Sequence, residues 1–166
     1  MGFRDRDLDG PRFQMREKLM SVGDDFWIED DQGHRLFKVN GKAVRWRDTF
    51  VLEDASGEEL VKVQEKKLAV RDTMTIERGD TTAKVHKRLL GIRDHYVIEV
   101  EGGDDFKAHG NIVDHEYEIE RDGETVAKIS KKWFRVRDTY GVQLAQGQDV
   151  ALILAITVCV DAMARD

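Results

Sequence analysis

The sequence predicts an all-β fold with a central helix: a closed antiparallel barrel of about twelve strands around a hydrophobic C-terminal helix. Three observations carry this. A hairpin-sized unit recurs along the chain, its segments alternate apolar and polar residues, and the last segment drops the alternation for a nearly unbroken apolar run.

The chain divides into a polar N-terminal lead-in, residues 1–13, and a single domain over 14–166. Six segments of the domain share one feature: GDDFWI at 23–28, WRDTF at 46–50, VRDTM at 70–74, IRDHY at 92–96, IVDHEY at 112–117 and VRDTY at 136–140. They align Asp24, Asp48, Asp72, Asp94, Asp114 and Asp138, at intervals of 24, 24, 22, 20 and 24 residues. A polar turn follows the first five: EDDQG at 29–33, EDASG at 53–57, ERGD at 77–80, EGGD at 101–104 and RDG at 121–123. A second alternating run then returns, as in AKVHK at 83–87 and VAKIS at 126–130. One Gly or Asp turn per unit reads as a β-hairpin. The sixth unit is distorted near AQG at 145–147, where its return strand is expected to be short or absent. So long a meander must close or stack to avoid open edges, and closure is expected.

Alternation assigns the faces. Leu68, Val70, Met74 and Ile76 share one face, opposite Ala69, Arg71, Thr73, Thr75 and Glu77; Phe134, Val136, Tyr140 and Val142 likewise oppose Arg135, Arg137, Thr139 and Gly141. A polar reverse side describes a strand half-buried in water, not a lipid-facing barrel. The recurring Asp falls on the inward phase near one end of each hairpin, where burial without partners is costly. The expected role is structural: accepting backbone N–H groups or pairing with adjacent Arg. A cation-binding carboxylate cluster and a pair of catalytic acids are the alternatives.

In VALILAITVCVDAMA, residues 150–164, only Thr157 and Asp161 are clearly polar. Its β-branched residues make a strand a rival on propensity, but length favours a helix of about 22 Å, too short to cross a bilayer. Asp149 is placed to cap it. A helix apolar all round needs protein on every side, which a barrel lumen supplies. Thr157 and Asp161, four apart, share a stripe expected to approach a mouth or a polar partner, while Leu152 and Ile156 point away from it and should be dry.

The 166 residues carry 27 Lys and Arg against 33 Asp and Glu, a formal charge of −6, which argues against a general nucleic-acid binder. The single Cys159 permits no internal disulfide and fits a reducing compartment; with no apolar signal-peptide core at the N-terminus, a cytoplasmic location is expected. The cations are clustered. Lys66-Lys67, Lys87-Arg88 and Lys131-Lys132 occupy the junctions opposite the acidic turns, with Lys42 and Lys107 at similar register. In a meander alternate turns share an end, so these six residues are the ligand-binding candidates, a basic rim facing an acidic one. They serve either as solvated turns that discourage aggregation or as a surface for an anionic ligand or membrane headgroups. Trp133 and Phe134 adjoin the third pair, Phe134 being assigned to the core.

Catalytic signals are thin. The histidines at 34, 86, 95, 109 and 115 show no metal-binding spacing, Cys159 reads as an inert packing residue, and Ser21, Ser56 and Ser130 lie in no nucleophile elbow. Neither catalytic residues nor a metal or cofactor site is expected.

Four ordered segments carry a family resemblance: QMREKLMSVGDDFWIED at 14–30, GNIVDHEYEIERDG at 110–123, SKKWFRVRDTYGV at 130–142 and DVALILAITVCVDAM at 149–163. Over residues 14–163 the chain resembles the LURP-one-related family, whose fold is similar to the tubby C-terminal domain and related to phospholipid scramblases. The resemblance implies a twelve-stranded closed barrel around a hydrophobic helix. Tubby domains bind phosphoinositides through basic surface residues; no such residue is transferred to a position here, and the six cations rest on this chain's own turn pattern. The scramblase likeness does not extend to a membrane-spanning segment or a calcium loop, since EDDQG is too short for the twelve-position EF-hand geometry. The expected function is a non-enzymatic binding or adaptor domain, associating peripherally with an anionic membrane surface or with a phosphorylated small ligand. The alternative is a structural scaffold that binds a protein partner without lipid.

Overall fold

A computed structural model of the chain describes residues 8–16, 25–41, 43–44, 47–68, 71–88, 95–134 and 138–164. Its strands are β1 (Arg12–Arg16), β2 (Phe26–Asp30), β3 (Arg35–Asn40), β4 (Ala43–Val44), β5 (Arg47–Asp54), β6 (Glu59–Leu68) and β7 (Arg71–Arg78). There follow β8 (Thr81–Arg88), β9 (His95–Val100), β10 (Phe106–Asn111), β11 (Glu116–Arg121), β12 (Glu124–Ser130), β13 (Thr139–Leu144) and one helix, α1 (Val150–Ala164).

Among the described residues, twelve of these strands form a closed antiparallel ring. The order runs β3-β2-β1-β13 and back down to β5, and pairing of β3 with β5 closes it; the two-residue β4 is appended to β5 alone. Five hairpins make up most of the wall: β2–β3, β5–β6, β7–β8, β9–β10 and β11–β12. The sixth unit has no return strand, as its sequence predicts. Its place is taken by β1, which pairs with β13 from Arg12↔Gln143 to Arg16↔Thr139. Arg12 and Phe13, assigned to the lead-in by their position, thus begin the wall, and Gly10 N–H donates to Leu144 O at 2.9 Å. Three hairpins shift register just before their turn, at Ile28/Glu29, Leu52/Glu53 and Ile119/Glu120. Such bulges sharpen local twist, which helps a sheet curl.

The recurring Asp residues mark strand starts. Asp48 and Asp72 lie at the beginnings of β5 and β7, and Asp114 and Asp138 just precede β11 and β13. Asp24 and Asp94 lie outside the described residues, as do the side chains of Asp48 and Asp72. Asp114 and Asp138 are exposed, which corrects the inward assignment for these two. Asp114 sits in the turn before β11, not in a pleated strand, and exchanges hydrogen bonds with Asn111. Among the described residues, the turn residues Asp30 and Asp54 each accept two backbone N–H groups. Asp30 Oδ1 accepts from the N–H of Gln32 and His34 at 2.9 and 2.8 Å. Asp54 Oδ1 accepts from the N–H of Ser56 and Glu58 at 2.9 and 3.0 Å. In both turns the same step follows: Gly33 and Gly57 take φ of 84° and 90°, a region glycine enters without a Cβ clash. Donated hydrogen bonds hold both carboxyls below the ordinary value of 3.8.

The inward positions converge on α1. Residues Ala151–Asp161 are buried without a break, Ile156 and Leu154 fully so. Asp149 caps the start, its Oδ1 accepting from Leu152 N–H at 3.4 Å while its carbonyl accepts from Ile153 N–H at 3.1 Å. Among the described residues, no helix is long and apolar enough to cross a membrane. The outer face departs from simple alternation at two places. Thr73 and Thr75 are 8% and 6% exposed despite their outward phase. β13 is covered on both sides, because Trp133 and Phe134 fold over Gly141 from outside. A Cβ at Gly141 would come within 2.6 Å of Trp133 Cε3 and 3.0 Å of Phe134 Cε2. Phe134 is therefore half-buried on the outer wall, not in the core; it sits in a loop, where strand phase does not apply.

Truncation of the fully buried Ile156 to Ala should cost about 2–5 kcal/mol in urea unfolding. Glu77→Ala, on the exposed outer face of β7, should stay within about 0.5 kcal/mol. Asp54→Ala should lower Tm at neutral pH. Because the folded-state pKa is depressed, the wild-type carboxylate stabilises above its ordinary value of 3.8 and that stability is lost as pH falls through the folded value. The Tm gap between variant and wild type should therefore narrow in acid.

Candidate functional site

Strands β6, β8, β10 and β12 run in one direction, so their C-terminal ends lie on one rim of the barrel. Lys66 and Lys67 fall in the last turn-proximal part of β6, Lys87 and Arg88 end β8, and Lys131 and Lys132 directly follow β12. Arg88, Lys131 and Lys132 are exposed and Lys87 is half-buried. For Lys66 and Lys67 the backbone position alone is described, and Lys42 lies outside the described residues. Lys107 is at the other end. It is the second residue of β10, paired with Val97 and Glu120, next to the acidic EGGD turn. A half-repeat separates the two registers, which corrects its grouping with the dibasic junctions.

The three pairs share a rim but do not converge. Adjacent strands are 4.7–4.9 Å apart, so β8 stands about 10 Å from β6 and about 19 Å from β12. From β6 to β12 is six strands, half of the twelve-stranded ring.

The helix gives this polarity a physical cause. Its N-terminus enters at the acidic rim, where Arg78 Nε reaches Asp149 Oδ2 at 3.4 Å, and its last residue Ala164 shares a cavity with Lys87 at the basic rim. α1 has no acidic residue in its first turn and no basic residue in its last. The rims supply the charges that complement its dipole.

Inside the basic rim lies a buried polar cluster that no local sequence pattern announces. The residue two past each repeat Asp is inward and buried at Phe26, Phe50, Met74, Tyr96 and Tyr140, with Tyr117 one residue later in its unit. These side chains form a collar around the C-terminal part of α1. Of its tyrosines, Tyr117 on β11 lies near Asp161 and Tyr96 on β9 lines a cavity with Ala164. Thr157 satisfies itself by donating to Ile153 O at 2.9 Å. Asp161 Oδ1 lies 3.4 Å from His115 Nε2, with both side chains almost fully buried. The His115 ring stacks on Tyr140 at 4.2 Å and 11°. Reaching inward requires an unusual backbone: His115 has φ of 53°, in the left-handed region. Burial, and then the Asp161 carboxylate, push the Tyr117 hydroxyl well above its ordinary pKa, and burial raises the Cys159 thiol. A thiol so placed is packing, not a nucleophile.

Beside this cluster opens a cavity of about 380 Å³, lined by Lys87, Tyr96, Gly110, Asn111, Ile112, Val113 and Ala164. A second hollow of about 280 Å³ involves His109, Lys128, Lys132 and Trp133. Trp133 is held by Arg12, whose guanidinium stacks 4.6 Å above the ring and donates to Gln143 Oε1. Among the described residues, His34 contacts Asp30, His86 contacts Glu99, His109 contacts Glu120 and His115 contacts Asp161. The pairs are dispersed, and among the described residues no three His, Cys, Asp or Glu side chains gather to hold a metal.

A family profile described as LURP-one-related matches residues 12–161. The chain belongs to the LURP-one-related family. A search of curated proteins found no match. An X-ray structure of a protein from Arabidopsis thaliana is similar at TM-score 0.61, with 18% identity over 96% of this chain and 94% of that one. At that identity the likeness concerns the fold, a tubby C-terminal-like barrel. As a LURP-one-related domain the chain is a closed barrel around one helix, and its most distinctive internal feature is the His115–Asp161 pair.

That pair joins the C-terminal part of the helix to the turn before β11 across the core. In urea unfolding, His115→Phe and Asp161→Leu should each destabilise, and the double variant should cost less than their sum by about 1–3 kcal/mol. Additive effects would show that the two side chains do not act together.

Proposed function

We propose that this LURP-one-related domain is a non-enzymatic binding module that docks on anionic membrane surfaces by its basic rim, as a peripheral protein of the cytoplasm. The observation that carries the reading is the common direction of β6, β8 and β12, whose ends bring Lys66-Lys67, Lys87-Arg88 and Lys131-Lys132 to one end of the barrel. Their spread favours a surface over a compact phosphorylated ligand. Groups half a ring apart cannot close on one phosphate, but all can approach a plane of headgroups. The C-terminal end of α1, negative by its dipole, occupies the middle of this rim, so attraction is strongest at the circumference. A protein scaffold remains the competing function, and it predicts no response to lipid charge.

Each Lys near an anionic surface contributes about 1 kcal/mol. Replacing Lys66, Lys67, Lys131 and Lys132 by Gln should therefore reduce cosedimentation with phosphatidylserine-containing vesicles by more than about tenfold at low salt, with Tm nearly unchanged. Phosphatidylcholine vesicles should bind weakly throughout. Equal absence of wild-type binding to both vesicles at low salt overturns the reading.

A further inference from the structure

The turn joining β10 to β11 carries the most exposed large hydrophobic side chain among the described residues, Val113, at 74% exposure. A lone surface valine is ordinary. The construction beneath this one is not. Gly110 has φ of 129°, and a Cβ there would come within 2.9 Å of Tyr117 Cα, so the chain can bend into the turn only at glycine. Ile112 N–H donates to Gly110 O and His115 N–H donates to Ile112 O, both at 3.1 Å. Asn111 Nδ2 donates to Asp114 Oδ2 at 2.8 Å, and Asp114 N–H returns to Asn111 Oδ1 at 3.2 Å. Ile112 tucks inward, 6% exposed, while His115 anchors the far side against Tyr140 and Asp161. The turn is held from inside by the buried cluster and presents Val113 on a fixed support.

Its place on the rim supplies the partner. Going round the ring, β8 with Lys87-Arg88 is two strands to one side of β10, and β12 with Lys131-Lys132 is next to β11 on the other. Lys87 lines the same cavity as Ile112 and Val113. The nearby Asp114 carboxylate is occupied by Asn111. An apolar tip flanked by cations matches the layering of an anionic bilayer, with charge at the headgroups and hydrocarbon just below. A turn already ordered enters with little further loss of conformational freedom.

We infer that Val113, carried on the braced turn 111–115, is an apolar anchor that enters the outer part of an anionic bilayer. The inference rests on the membrane-docking reading and adds to it a depth and an orientation: the basic rim faces the bilayer and the acidic rim faces away.

Two measurements test it on the full chain with phosphatidylserine-containing vesicles. In the first, Val113→Ser should weaken partitioning about tenfold and Val113→Phe should strengthen it, with the salt dependence of binding unchanged. Leu36→Ser, a half-exposed apolar residue at the acidic rim, should bind as wild type. In the second, Val113→Cys is labelled with an environment-sensitive fluorophore, the native Cys159 being fully buried. Vesicles should shift its emission to the blue, while the same label at Leu36→Cys stays aqueous. If wild type binds these vesicles but the Val113 variants bind equally and the label does not shift, the anchor is wrong and electrostatic docking stands. If wild type does not bind them, both fall.

Discussion

The structure depends on one mutual burial: a nearly all-apolar helix inside a sheet that closes on itself. Neither half is stable alone in water. α1 exposed would present apolar residues on every side, and an emptied ring would lose the partner of each inward side chain from Met15 to Leu144. The closure at β1–β13 and β3–β5 matters for the same reason, since a gap would open the lumen along its length. The chain makes this closure with its N-terminal strand, so the first and the last segments of the domain are assembled around the same core.

Uniform apolarity brings a problem of specificity. Dispersion and burial hold α1 in the lumen but scarcely distinguish one rotation from another. The few polar groups resolve this. Thr157 is satisfied within the helix, and Asp161 contacts His115 on the wall. The strained backbone at His115 and the tyrosine side of the collar are the counterparts of that contact. The same pair reaches outward, because His115 ends the turn that bears Val113. The buried pair thus links the helix to the rim turn.

Much of the architecture was legible in the sequence because it is periodic. The interval of the Asp residues gives the hairpins, and the loss of alternation after residue 149 gives the helix with its bounds at 150 and 164. The missing return strand after 145–147 was visible for the same reason. What could not be read is what depends on distance across the fold. Asp161 and His115 are far apart in sequence, and the signal was indirect: Asp161 is the one acid in an apolar helix. Phe134 was assigned by strand phase, although Phe134 itself lies outside any strand. Lys107 was grouped by composition, although half a repeat places it at the opposite rim. Of the recurring carboxylates, position was legible and bonding was not: Asp114 bonds to Asn111, while the turn acids Asp30 and Asp54 accept backbone N–H groups.

The most direct test of this arrangement is native-state hydrogen exchange of the α1 amides. A helix enclosed by a closed wall cannot open without breaking that wall, so the amides from Leu154 to Val160 should exchange only by global unfolding, with the same free energy and denaturant dependence as the slowest strand amides. Exchange of these amides through a smaller, denaturant-insensitive opening while β6, β7 and β8 stay protected would contradict it.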